Sequence, residues 1–520
     1  MKEGFTQSMA FLHSWAGLLF GGVLFSIFFC GSLSVFRPEI DIWATPQLQG
    51  RGELNRAAAL ARGLSLLEQE APESRQWRIS LPSEREPVLQ VSWQDDNGAT
   101  RTRRVAPHNG EAVLATEGGR LFARYHHRLS IDDGRTSRVG RWLIGVLGFA
   151  MLVILVSGVF IHRRLWRDLF VFRPASSRQR SWTDVHNVMS VLALPFHLVI
   201  VCTGFAVNYW IYMPAAIDTL YQGDWRTYRA DVGQGAGNDM RLADVPGAPS
   251  DNLAFAALMQ RAEAVLGQDG VSSITLLDRG RETAVAEFRG RRDDRIAQQM
   301  DRVVLSGVTG EVLTEVTSRP PLFATQSVMV GIHYVLFGGA PMRWLYFSCG
   351  LAGAGMIATG TLLFVHKRRA TARSVPERRL LTIAEHVNVI AMAGLPLASI
   401  VYMWGLRLLP QPLADRPHWE ISVFFYTWLL SGLYATLRPV ARAWIELLTA
   451  TSLLCLALPA SGWLLPGSDL PTTLRQGDLA TAGVDLVTFA AGLGLALFTA
   501  YLIRRRDTVL VLGKLAPRPG

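Results

Sequence analysis

The sequence predicts an all-α membrane bundle of about eight transmembrane helices carrying two small exported α+β domains. Three observations predict it. Of 520 residues, 49% are hydrophobic, and the mean hydropathy of +0.21 is too apolar for a water-soluble chain of this length. The apolar residues gather in blocks of about 20, the length needed to cross a ~30 Å hydrocarbon core. Arg and Lys crowd the connections between blocks, whereas two long intervening segments read as a helix followed by alternating strands. Spans in lipid must be helical, because backbone polar groups left unpaired there are costly.

The elements follow in order. Residues 1–36 hold the first span; Lys2 precedes it, but its apolar run is longer than a signal-peptide core and no A-x-A-like site follows, so it is expected to remain as an anchor. Residues 37–140 form the first exported domain, with a helix over 52–69, strands at 77–80, 88–93 and 101–105, and an Asn109-Gly110 turn. The second span is 141–163, a basic cytoplasmic loop covers 164–185, and the third span is 186–212. Residues 213–341 form the second exported domain: a Gly- and Asp-rich irregular stretch at 221–250, a helix over 251–266, strands at 271–277, 283–289 and 301–306, and a turn at Gly310. The fourth span is 342–366. Residues 381–520 form a C-terminal four-helix membrane extension, with spans at 384–409, 419–437, 443–465 and 482–503.

Basic residues at 163–180, 367–379, 438–442 and beyond Leu502 place those stretches in the cytoplasm by the positive-inside rule. Both termini are then cytoplasmic in a multi-pass membrane protein. The net charge of +10 needs no nucleic acid, because each basic run abuts a span and anionic lipid headgroups of the bilayer account for it. Cys30, Cys202, Cys349 and Cys455 all fall in expected spans, which excludes a disulfide framework and C-x-x-C-H haem attachment. The glycines of 233–237 lack a strand-to-helix context and are not a dinucleotide loop.

A duplication underlies this order. His13 lies eighteen residues before Gly31, and His186 eighteen before Gly204. Arg141-Trp142-Leu143 is seventeen residues before Gly158, and Arg343-Trp344-Leu345 seventeen before Gly360. The unit of span, α+β domain and His-ended span occurs at 1–170 and again at 180–370, as parallel repeats. Histidines at matching depths in two half-sites point to a metal or a haem. His197 lies eleven residues after His186, a rise of about 16 Å and within ~20° of the same helix face. One helix would thus present imidazoles at two depths, and an ionisable residue so deep is a functional candidate.

The segments LHSWAGLLFG, VSGVFIHRRLWRDLFVFRP, SWTDVHNVMSVLALPFHLVIVCTGF, RWLYFSCGLAGAGMIATG and GLPLASIVYMWGLRLLP resemble the PepSY-associated transmembrane family. The resemblance covers essentially the whole chain and implies that the two α+β segments are PepSY-like modules. It further implies an inner-membrane reductase binding two haem b groups and releasing iron from a ferric siderophore. The axial-ligand candidates are His13 and His186 as a cytoplasmic-side pair, with His162 competing there, His197 at mid-membrane, and His127 and His333 on the exported side. With no nicotinamide or flavin domain evident, electrons are expected from quinol or a cytoplasmic reductase. The alternative is a haem-free PepSY membrane protein with a regulatory or partner-binding role. A secondary transporter is disfavoured because the expected spans hold few carboxylates for ion coupling.

Overall fold

The computed structural model describes residues 2–49, 54–131, 138–162, 178–224, 227–228, 247–291, 295–298, 301–317, 321–465 and 467–504. Residues 163–177 of the basic loop, Gly233–Gly237, most of the 221–250 stretch and the tail beyond Arg504 lie outside them.

Helix α1 (Lys2–Ser34) is followed by α2 (Arg37–Trp43), which has Pro38 in its first turn. Helix α3 (Arg56–Glu70) starts at Asn55, whose side chain accepts from the Ala58 N–H at 2.9 Å and so satisfies one of the orphan donors of a helix start. Strands β1 (Gln76–Ser80), β2 (Leu89–Gln94) and β3 (Thr100–Val105) come next, then α4 (Arg120–Arg128), α5 (Arg138–Ile161), α6 (Arg178–Leu192) and α7 (Leu194–Val207). Beyond them lie α8 (Phe255–Leu266), β4 (Val271–Leu277), β5 (Val285–Gly290), β6 (Arg302–Ser306), β7 (Val312–Val316) and α9 (Pro321–Tyr334). The C-terminal part holds α10 (Gly339–Arg369), α11 (Val375–Val389), a π-helical turn (Ile390–Gly394), α12 (Leu395–Leu408), α13 (Arg416–Leu437), α14 (Val440–Ala457) and α15 (Leu479–Arg504).

Among the described residues, six helical stretches are long and apolar enough to cross a membrane, and the bent pair α6–α7 makes up to seven. The sixth expected span, 419–437, is helical within α13, but its Trp, Tyr, Ser and Glu residues leave it less apolar than the others. The third expected span is not one straight helix: α6 and α7 meet at 58°. Pro195 explains the break, because its ring removes an N–H and collides with the carbonyl four residues back. His186 and His197 therefore sit on two differently directed helices rather than on one face, which corrects the single-helix reading.

The chain forms two compact units. The first contains 1–46, 115–205 and 340–520, and the second 47–114 and 206–339. The first is the helical bundle, with a core that includes Leu24, Trp43, Phe122, Met151, Tyr402 and Phe424. Leu19, Leu429 and Leu497 are exposed on its outer faces, as a lipid-facing surface requires.

The second unit contains one seven-stranded antiparallel sheet in the order β3-β2-β1-β4-β5-β6-β7. The two α+β segments thus share a single sheet, joined where β1 pairs with β4 in the register Ile79↔Ile274. Leu67 of α3 packs on Trp77, Ile79, Leu89 and Val91. Leu258 and Ala262 of α8 pack on Ile274, Phe288 and Val303. Gly110 and Gly310 hold φ of +78° and +69° in the two turns, conformations that cost a glycine little. Strand β7 was not among the expected elements.

Candidate functional site: four histidine sockets

The first unit holds four histidines docked in one manner. His13 on α1 places Nδ1 at 2.9 Å from the Ile154 carbonyl and 3.3 Å from Ser157 Oγ of α5. His186 on α6 places Nδ1 at 2.9 Å from the Met356 carbonyl and 3.2 Å from Thr359 Oγ1 of α10. His126 on α4 places Nδ1 at 2.9 Å from the Ile27 carbonyl of α1. His197 on α7 places Nε2 at 3.1 Å from the Cys349 carbonyl of α10.

In each case a glycine stands four residues after the acceptor: Gly158, Gly360, Gly31 and Gly353. A Cβ added at Gly158 would lie 3.1 Å from His13 Cε1, and one at Gly360 2.9 Å from His186 Cε1. At Gly31 it would lie 2.5 Å from His126 Nδ1, and at Gly353 2.8 Å from His197 Nε2. The reason is geometric. Residues i and i+4 share a helix face, and the carbonyl of i points toward i+4. The carbonyl keeps one lone pair for the helix and offers the other to the imidazole, which reaches it because position i+4 carries no side chain.

These contacts fix tautomers. A carbonyl only accepts, so in each pair the ring nitrogen donates, and the opposite nitrogen of a neutral imidazole carries the lone pair. For His13, His186 and His126 that nitrogen is Nε2. For His197, which is fully buried, it is Nδ1, which has no hydrogen-bond partner. Leaving such an atom unpaired costs about 1–3 kcal/mol, so the site fits a further group bound to that nitrogen. Metal-bound histidines are held in this way, with the second ring nitrogen donating to a carbonyl.

His13, His162 and His186 lie within electrostatic reach of one another, so the structure brings together the three histidines expected at one level. His162 ends α5, where its N–H donates to the Gly158 carbonyl at 3.1 Å. His126 and His197 both border one stretch of α1: His126 meets Ile27 and Gly31, and the His197 ring packs edge-on to Phe28 with centroids 5.6 Å apart. His127 points elsewhere. Its Nδ1 donates to Ala123, four residues back in its own helix, at 2.6 Å. Burial pushes its imidazole down to about 4 and also lowers that of His126, so both are neutral near pH 7. His333 belongs to the second unit, on α9, with its ring 6.0 Å from Tyr334.

His126 is thus the socketed member of the His126-His127 pair, whereas sequence reasoning favoured His127. Gly31, one end of the repeated eighteen-residue spacing, was the signal available for it. Among the described residues no three His, Cys, Asp or Glu side chains converge as a chelating metal centre would require.

The pattern of the PepSY-associated TM region matches residues 10–367. An uncharacterized protein of Pseudomonas aeruginosa, PA4219, is 25% identical over 375 residues, covering 68% of this chain and 88% of that protein.

Proposed function

Since the chain belongs to the PepSY-associated TM family, we propose that it is a haem-b electron-transfer protein of the bacterial inner membrane that reduces ferric, siderophore-bound iron on its exported side. The observation carrying this reading is the set of four sockets, in which helix carbonyls fix the tautomer of each imidazole, together with the buried His197 Nδ1 that meets no hydrogen-bond partner.

In this reading His13 and His186 hold one haem, with His162 close to both. His126 and His197 serve the second, and His333 on α9 of the second unit remains a separate candidate. Haem supplies the one-electron chemistry, and the protein supplies ligation, burial and spacing. The carbonyls of Ile154 and Met356 orient the two imidazoles, while Ser157 and Thr359 offer each a second polar contact. The apolar faces of α1, α5 and α10 exclude water from these rings. Electrons enter from membrane quinol or a cytoplasmic reductase, and the two α+β segments, read as PepSY-like modules, face the ferric complex.

The test is purification in detergent from haem-replete cells. Dithionite-sensitive b-type bands and two haems per chain by pyridine haemochrome are expected. His13→Ala and His186→Ala should remove the same spectral component, and His197→Ala or His126→Ala the other. A colourless protein would overturn the reading and favour the haem-free, partner-binding alternative.

A further inference from the structure

Helices α11–α15 lie beyond the stretch matched by the family pattern, which ends at residue 367, so family membership gives them no role. Their contacts with α4 supply one. Glu420 of α13 is fully buried, and its carboxylate accepts from Thr116 Oγ1 at 2.9 and 3.0 Å and from the Glu117 N–H at 2.6 Å, and it forms an ion pair with Arg416 at 2.6 Å. Tyr402 of α12, also fully buried, donates its hydroxyl to the Gly118 carbonyl at 2.5 Å.

Three successive residues leading into α4 are therefore gripped from α12 and α13. Gly118, with φ +52°, makes the turn that presents them. Arg416 also donates to the Leu406 carbonyl at 2.7 Å, tying the end of α12 to the start of α13. The grip continues along α4. Phe122 packs edge-on to Tyr402 with centroids 5.7 Å apart, and Tyr125 packs against Trp428 of α13 at 5.8 Å. The next residue is His126. Tyr125 and His126 both meet α1, through Ser26 Oγ at 2.9 Å and the Ile27 carbonyl.

A nine-residue helix is too short to hold its own conformation in isolation. What it presents is set by what grips its two ends. We propose that the C-terminal helices are a clamp on α4, with Glu420 and Tyr402 as positioning residues that fix the His126 imidazole in its socket. The energetic logic favours a fixed geometry. The buried carboxylate loses both the Thr116 hydroxyl and the Glu117 N–H if the start of α4 shifts by an ångström, and a buried charge stripped of partners is strongly unfavourable. Clamp and socket therefore lock together, and only one position of His126 satisfies both. The positioning role rests on reading His126 as a haem ligand; the clamp itself does not.

The test uses the full chain in detergent with Glu420→Gln and Tyr402→Phe, the second removing only a hydroxyl in case the first destabilises the bundle. Amide hydrogen exchange followed by mass spectrometry should show residues 115–128 exchanging at least tenfold faster in both variants, with α5 unchanged. Spectroelectrochemical titration should shift the midpoint of the haem component that His126→Ala removes, and leave the component that His13→Ala removes. Unchanged exchange at 115–128 in both variants would overturn the clamp. Faster exchange with both haem components unmoved would overturn the positioning of His126. A colourless preparation would overturn the haem reading instead, and the exchange measurement would still decide on the clamp.

Discussion

Gly31→Ala measures what a socket requires, and Gly17→Ala in the same helix is its control. A Cβ at Gly17 meets nothing within 4 Å, so that change should yield only the helix-propensity gain of Ala over Gly, about 0.8–1 kcal/mol. At Gly31 the same gain is present, but the new methyl group would lie 2.5 Å from His126 Nδ1. Ordinary carbon contacts are about 3.5–4.0 Å, so the ring must retreat by roughly 1 Å. That is enough to break its 2.9 Å bond to the Ile27 carbonyl. Overpacking costs about 1–3 kcal/mol and the lost hydrogen bond about 0.5–1.5. The net is a destabilisation of about 0.5–3.7 kcal/mol, against a stabilisation in the control. Thermal melting in detergent reads the difference, and the spectrum of the bound cofactor reads the displaced imidazole. If Gly31→Ala stabilises the protein as much as Gly17→Ala and leaves the spectrum unchanged, the socket argument fails.

Other expectations follow from the same contacts. Ile79, almost fully buried, sits at the joint of the sheet opposite Ile274. Ile79→Ala should cost about 2–5 kcal/mol, seen as increased proteolysis between residues 54 and 114; resistance equal to wild type would show that the joint does not hold the sheet. Asp485→Ala removes the charge that faces buried Arg407 and the acceptor of the Trp43 Nε1–H at 2.8 Å. Leaving that guanidinium uncompensated should cost about 3–5 kcal/mol, and Arg407→Leu combined with it should recover a large part in a double-mutant melting cycle. In the β2–β3 turn, the side-chain bond from Arg101 and the backbone N–H groups of Ala99 and Asn97 hold the Asp95 carboxyl below its ordinary value. The folded state therefore resists protonation more than the unfolded chain. Its contribution is present above the unfolded pKa and is lost as pH falls through the folded one. Exchange in the hairpin should rise on acidification below about pH 4, and Asp95→Asn should remove that dependence.

The parts of this fold that were legible in the sequence are those with local periodicity. The strand around Trp77 and Ile79 alternates because one face is buried under α3. Strand β7 escaped because most of it is exposed or half-buried on both faces, so no alternation marks it. The joint between β1 and β4 pairs residues far apart in the chain, and nothing local encodes it. The bend before His197 was readable in principle: counting 100° per residue through Pro195 assumed a straight helix that proline does not allow. Gly31 marked a place on α1 in the sequence, but not which of His126 and His127 meets it. The two are adjacent, and the deciding group is a carbonyl on α1, brought there only by tertiary packing. His13 and His186 were found because each stands eighteen residues before a glycine, Gly31 and Gly204, a record of the duplication itself.

The shared sheet has a consequence for biogenesis. Ser80 and Val271 are 191 positions apart, with α5, α6 and α7 between them. At a synthesis rate of about 5–20 residues per second, β1 waits roughly 10–40 s for its partner β4 to be made. During that interval Trp77 and Ile79 sit on an open strand edge, the kind of template that recruits other chains. The nascent chain must insert its next apolar helices while guarding that edge. A pause or a misinserted span there would leave a half-sheet with nothing to pair with, so yield in the membrane should depend on the speed of this middle stretch more than on either end.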